Sequence, residues 1–147
     1  MNFDETDSKI LKNLLVDARL SSRQLAHKLG LATVTVISRM KKLEKNKVIK
    51  GYSAQLDHEK LGYDITAVIE IKTGQGKMIE VEKKIAEFEN ICAVYDITGK
   101  YDVMVVGKFK NRDDLSKFVK KLSTIPNVEN TETHMVLSTA KEDFRLF

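Results

Sequence analysis

The chain has 147 residues, 42% of them hydrophobic and 31% charged, with a formal net charge of +4, which suits one compact domain or two small ones and excludes a large multidomain enzyme. No apolar run approaches the roughly 18–20 residues of a membrane span, and the start Met1-Asn2-Phe3-Asp4-Glu5 lacks the basic and apolar parts of a secretion signal, so a cytoplasmic protein without a membrane partner is expected. Cys92 is the single cysteine, which excludes an intrachain disulfide and a thiolate zinc cluster, and its apolar setting Ile91-Cys92-Ala93-Val94 predicts a buried, inert thiol.

The first third of the chain has helical periodicity. Asp4 and Asp7 are candidate caps ahead of Ile10, Leu11, Leu14, Leu15 and Ala18, which fall on one helix face. Ser21 precedes Gln24 at capping-box spacing and opens a second helix, with Leu25, Ala26 and Leu29 inward and Gly30 as a left-handed stop. After the turn Gly30-Leu31-Ala32, a third helix is predicted from about Thr33 to Glu44, buried through Val36, Met40 and Leu43. Ala32 is a poor cap, so Thr33 is expected to cap instead and shift the helix start by one residue; Asn46 is expected to supply the left-handed stop.

This segment also holds the positive charge. From Arg19 to Lys50 there are nine Lys or Arg and one acidic residue, Glu44, whereas the remainder carries sixteen basic and twenty acidic side chains. A cluster of that kind on a small helical unit points to nucleic acid. Arg23, Thr33, Val34, Thr35, Ser38, Arg39, Lys41 and Lys42 are the candidate DNA-binding residues. Thr33 to Ser38 lie where a recognition helix reaches base edges, and an exposed Val34 suits thymine methyls. Lys41, Lys42 and Arg23 suit phosphates, and Arg39 either does the same or pairs with an acidic residue of the first helix.

At Gly51 the composition changes, and Tyr52-Ser53-Ala54-Gln55-Leu56-Asp57 leads to Leu61-Gly62, a candidate hinge strand. Ile65–Ile71 is strand-like; Met78, Val81, Ile85 and Phe88 mark a helix; Ile91–Thr98 and Val103–Phe109 flank a hairpin turn at Gly99-Lys100-Tyr101-Asp102. A helix with Leu115, Phe118, Val119 and Leu122 stops before Pro126, and Val128–Leu137 makes a last strand. The order βαββαβ builds an antiparallel four-stranded sheet with both helices on one face. Val68, Val94, Met104 and Val106 are predicted on the other face, an apolar patch that self-association would cover.

Leu25-Ala26-His27-Lys28-Leu29-Gly30-Leu31, Val36, Arg39-Met40, Leu43-Glu44, Val48-Ile49-Lys50-Gly51-Tyr52 and Leu61-Gly62 together resemble the Lrp/AsnC family of bacterial and archaeal transcription regulators. Thr98-Gly99-Lys100-Tyr101-Asp102 is similar to that family's Gly-x-Tyr-Asp turn, and Ile125-Pro126-Asn127-Val128 through Thr131 and Thr133 to its final strand. The resemblance implies an α+β protein in two parts: a helix-turn-helix (winged-helix-like) domain over 1–51 and a ferredoxin-like effector-binding and oligomerisation domain over 63–147, joined by a hinge strand at 52–62. It also implies a homodimer or higher homo-oligomer, double-stranded DNA with an inverted-repeat operator as partner, and a small-molecule effector, commonly an amino acid. By position the effector residues would be Gly99, Tyr101 and Asp102, with Thr131 and Thr133. Turn amides can hold a carboxylate, and Asp102 can accept from an ammonium group.

An enzyme is the rival class, because some decarboxylases of heme biosynthesis share the two-part architecture. His27, His58 and His134 lie far apart in sequence, and no nucleophile or acid–base pair stands out, so no catalytic residue, cofactor or metal site is expected.

Overall fold

The computed structural model describes residues 3–147. Met1 and Asn2, on which the expected lack of a secretion signal partly rests, lie outside the described residues. The chain divides into two compact units: one reaches to Gln55 and includes Lys141–Phe147, and the other is Leu56–Ala140. The C-terminal segment, expected with the sheet, thus groups with the helical unit. There Arg145 forks onto Asp143, and its Nη1 donates to the backbone oxygen of Leu15 at 3.5 Å.

The helical unit is built from α1 (Glu5–Val16), α2 (Ser22–Leu29) and α3 (Thr33–Lys45). α1 starts in a capping box in which the Asp7 amide donates to Asp4 Oδ1 at 2.9 Å, and α2 in the predicted Ser21/Gln24 box. Each box satisfies amides that the first turn leaves without intrahelical partners. Gly30 ends α2 at φ +65, a torsion that glycine takes without a Cβ penalty. Ile10, Leu14, Leu25, Ala26, Val36 and Leu43 form the core, with Leu11, Leu29 and Met40 packed around it. Ala18, predicted on the α1 stripe, is exposed because the helix stops at Val16.

Two predicted caps of α3 are corrected. Thr33 is already inside the helix, and Ala32 is its N-cap without a side-chain hydrogen bond. Asn46 remains near helical geometry at φ −86, because its side-chain amide reaches the Lys42 oxygen at 2.7 Å; Lys47 takes the left-handed torsion instead, at φ +57. The Lys47 amide bonds to the Glu44 oxygen and the Val48 amide to the Leu43 oxygen, both at 2.9 Å, which closes a Schellman motif. The expected hinge strand is absent: no strand is assigned over 52–57, and 58–62 is a turn. A strand needs a ladder partner, and this run has none among the described residues.

The second unit holds β1 (Ile65–Thr73), α4 (Met78–Ala86), β2 (Ile91–Asp96), β3 (Val103–Phe109), α5 (Arg112–Leu122) and β4 (Val128–Met135). The strands pair antiparallel in the order β2-β3-β1-β4. Ala67, Ile69, Ile71, Val103, Val105 and Phe109 face both helices and pack on Val81, Ile85, Leu115, Phe118 and Leu122. The alternate residues Val68, Met104 and Val106 stay half-buried on the open face, as the period of two requires.

Val94 departs from the expected open face. The pairing of β2 with β3 shifts between Ile91 and Ala93, so Val94 stands opposite Val105 and packs against the helix-side core. A bulge of this kind moves every later side chain to the other face. Cys92, expected to be buried, sits at the same irregularity and is exposed.

Candidate nucleic-acid interface and effector turn

The outer face of α3 gathers the predicted reading residues into one shallow groove of about 430 Å³, lined by Val34, Thr35, Ser38, Arg39 and Lys42 together with Asp4. They meet because positions three and four apart on a helix share a face, while Val36 and Leu43 anchor the opposite side. Val34 is 76% exposed. Thr33 is half-buried at the first turn, Lys41 is exposed outside the groove, and Arg23 is exposed on the first turn of α2.

Arg39 pairs with acidic residues of the first helix region, one of the two roles expected for it. Its Nη1 donates to Asp7 Oδ1 at 3.0 Å and to Asp4 Oδ2. The guanidinium beside Asp4 holds that carboxyl below the usual range, and the two carboxylates raise the Arg39 pKa. Asp7 is only 2% exposed, so Arg39 also satisfies a buried carboxylate. The sequence left open which acid Arg39 would choose, because that depends on how α1 crosses α3.

In the second unit the loop between β2 and β3 is closed by the Ile97 amide donating to the Asp102 oxygen at 2.9 Å. Gly99 has φ +121, a torsion that disfavours any side chain. Asp102 is fully engaged: Lys72 Nζ donates to Oδ1 at 2.9 Å, and the Thr73 amide and hydroxyl donate to Oδ2 at 2.8 and 3.2 Å. The Thr73 amide, followed by Lys72, lowers its pKa because each favours the charged carboxylate. The ammonium group next to Asp102 is thus that of Lys72.

Beside Asp102 lies a hollow of about 540 Å³, lined by Lys72, Thr73, Gly74, Gly76, Met78, Ile79 and Glu129 among others. Sequence reasoning missed Lys72, Thr73 and Glu129: the β1–β3 pairing brings Lys72 and Thr73 beside the turn, and the β1–β4 pairing adds Glu129. Tyr101 does not line the hollow; it is nearly buried and bonds through its hydroxyl to Glu132 Oε2, which raises its pKa. Thr131 and Thr133 stand opposite Ile71 and Ile69, and so point to the helix side of the sheet, away from the face that Glu132 shares with Glu70. Of the five predicted effector residues, Asp102 alone borders the hollow, on the ring of the turn that Gly99 makes possible.

Comparison with known proteins agrees with this fold. Residues 3–44 match the AsnC-type helix-turn-helix domain and residues 66–146 the Lrp/AsnC ligand binding domain. An uncharacterized HTH-type transcriptional regulator of Pyrococcus furiosus is 47% identical over 146 residues, with 99% of both chains covered. The HTH-type transcriptional regulator FL11 of Pyrococcus horikoshii is 40% identical over 143 residues, covering 97% of this chain and 95% of its own. Among solved structures, E. coli AsnC superposes with a TM-score of 0.90 at 25% identity, over 97% of both chains. The regulator NMB0573 of Neisseria meningitidis, in its L-Met complex, superposes with a TM-score of 0.90 at 24% identity, over 99% of this chain and 96% of its own, and shares the fold.

A three-helix reader with a basic outer face, followed by a βαββαβ sheet unit, defines a two-part DNA-binding regulator. The chain belongs to the Lrp/AsnC family: it is a transcriptional regulator with an AsnC-type helix-turn-helix and a ligand-binding domain. It is not an enzyme, since its relatives are HTH-type transcriptional regulators, and the decarboxylase reading is set aside. No helix among the described residues is long and apolar enough to cross a membrane.

Proposed function

We propose that this chain is a sequence-specific regulator that binds inverted-repeat duplex DNA as a homodimer, or as a larger assembly of dimers, in the cytoplasm, and that a small molecule, an amino acid, tunes it. The observation that carries the reading is the α3 groove: an exposed valine and small hydroxyls near the helix N-terminus, with lysines further along. That gradient supports a reading in which base-edge contacts come first and phosphate contacts later. Val68, Met104 and Val106 on the open sheet face are the proposed dimer contact, because a partner would cover apolar side chains that remain half-exposed.

The hollow beside Asp102 is the proposed effector site. Its rim offers a cation at Lys72 for a carboxylate, Glu129 for an ammonium group, and Met78 and Ile79 for an apolar side chain, which is the donor set an amino acid needs. Gly99 and Tyr101 would act by shaping the turn. A thermal-shift screen of the amino acids tests the effector, since a ligand that binds the native state alone raises stability. Binding-site selection from random duplexes tests the operator, and enrichment of a two-fold symmetric site is expected.

A further inference from the structure

The open face of the sheet carries a side-chain cluster that neither the DNA groove nor the effector hollow uses. Glu70 on β1 stands directly opposite Glu132 on β4, and His134 follows two residues later on the same face. Like charges directly opposed across two strands are destabilising, so this register calls for a cation between them. His134 Nε2 is 3.1 Å from Glu70 Oε2 and 3.9 Å from Glu132 Oε1, and one ligand atom from each residue lies within 4.8 Å of the others.

We propose that Glu70, Glu132 and His134 form a binding site for a divalent transition-metal ion of the Zn²⁺ type. One imidazole nitrogen and two carboxylate oxygens are a donor set for such ions. At metal–ligand distances near 2.1 Å, tetrahedral donors stand about 3.4 Å apart; the observed 3.1 and 3.9 Å separations bracket that spacing. Small rotations about the glutamate side chains complete it. In the single chain His134 and Glu132 are each half-exposed, which leaves further coordination positions open; His134 stands opposite Val68 and Glu70 opposite Met104, so the site borders the proposed dimer contact.

Tyr101 adds an orienting contact. Its hydroxyl donates to Glu132 Oε2, leaving Oε1 turned toward His134. Outer contacts of this kind hold a ligating carboxylate in place, so Tyr101 is a positioning residue. Both strands are backbone-paired along this stretch, and β1 is flanked on both sides. The site escaped the sequence reading because Glu70 and His134 are 64 residues apart and no compact motif links them.

The test uses metal-stripped full-length protein, titrated with Zn²⁺ by calorimetry and with Co²⁺ by visible absorption, and it is independent of DNA and effector. One ion per chain is expected. His134→Gln and Glu70→Gln should each weaken binding at least tenfold, and the double variant His27→Gln/His58→Gln should bind as the parent does. Tyr101→Phe should weaken binding while leaving the Co²⁺ band positions unchanged, because it removes an orienting contact and no ligand. Circular dichroism checks the fold of each variant, and Glu132→Gln replaces any that fails to fold. Absence of saturable binding by the parent overturns the site. So does binding that survives both His134→Gln and Glu70→Gln, which would place the ion elsewhere.

Discussion

Arg39 of the recognition helix is tied to Asp7 of the first helix by a 3.0 Å hydrogen bond from Nη1 to Oδ1, and the same nitrogen reaches the α1 cap Asp4. One guanidinium therefore locks α3 to α1 and neutralises a buried acid while doing so. Lys42 and Ser38, on the same groove, have no such tether in the described residues and remain available to a partner.

Asp7→Ala should therefore destabilise the helical unit by roughly 1.5–3 kcal/mol, the usual contribution of a hydrogen bond to a charged group. Chemical denaturation compares it with Lys41→Ala, whose parent side chain is solvent-exposed and whose stability should be within about 0.5 kcal/mol of the parent.

Lys47 occupies a left-handed torsion within a motif that otherwise favours glycine. Lys47→Gly should raise stability by about 0.5–1 kcal/mol, because relief of the Cβ clash outweighs the extra freedom of the unfolded chain. A thermal melt should show a rise of a few degrees; a fall would contradict the Schellman geometry at the end of α3.

Asp102 has a lowered pKa in the folded protein, so its contacts stabilise the fold above the unfolded carboxyl value near pH 4 and are lost as pH falls through the lower folded value. Asp102→Asn should remove part of the acid-side decline in stability below about pH 4, measured as the difference between variant and parent across a pH series. At neutral pH the variant should be less stable, since it breaks the charge-assisted contact with Lys72. Asp102→Ala should also abolish the response to any amino acid found in the thermal screen while DNA binding by the ligand-free protein persists.

Substitutions on the α3 groove should separate into two classes. Val34→Ala and Ser38→Ala should change which duplexes are selected, and Lys42→Ala should weaken all duplexes alike. Selected-site sequences identical to the parent's for both Val34→Ala and Ser38→Ala would move the reading surface off this face.

The sequence made the short-range features legible. The Ser21/Gln24 box, the Gly30 stop and the alternation of β1 and β3 depend on residues a few positions apart, and each stands where it was expected. What was not legible depends on register. The bulge near Cys92 inverts Val94, the β1–β4 pairing turns Thr131 and Thr133 to the helix side and Glu132 to the open face, and Lys72 comes to Asp102 only through the folded sheet. Asn46 and Lys47 show the same limit locally. Both residues can be accommodated at a helix end, and the side-chain bond to Lys42 decides which of them turns left-handed.

Footprinting the assembled protein on its selected duplex, repeated over a range of salt concentrations, decides whether two α3 helices dock as a symmetric pair against phosphates. Two protected half-sites related by a two-fold axis are expected, their centres one helical turn or a multiple apart, with affinity falling steeply as salt releases the phosphate contacts. Protection without a two-fold related pair, or binding indifferent to salt, would contradict it.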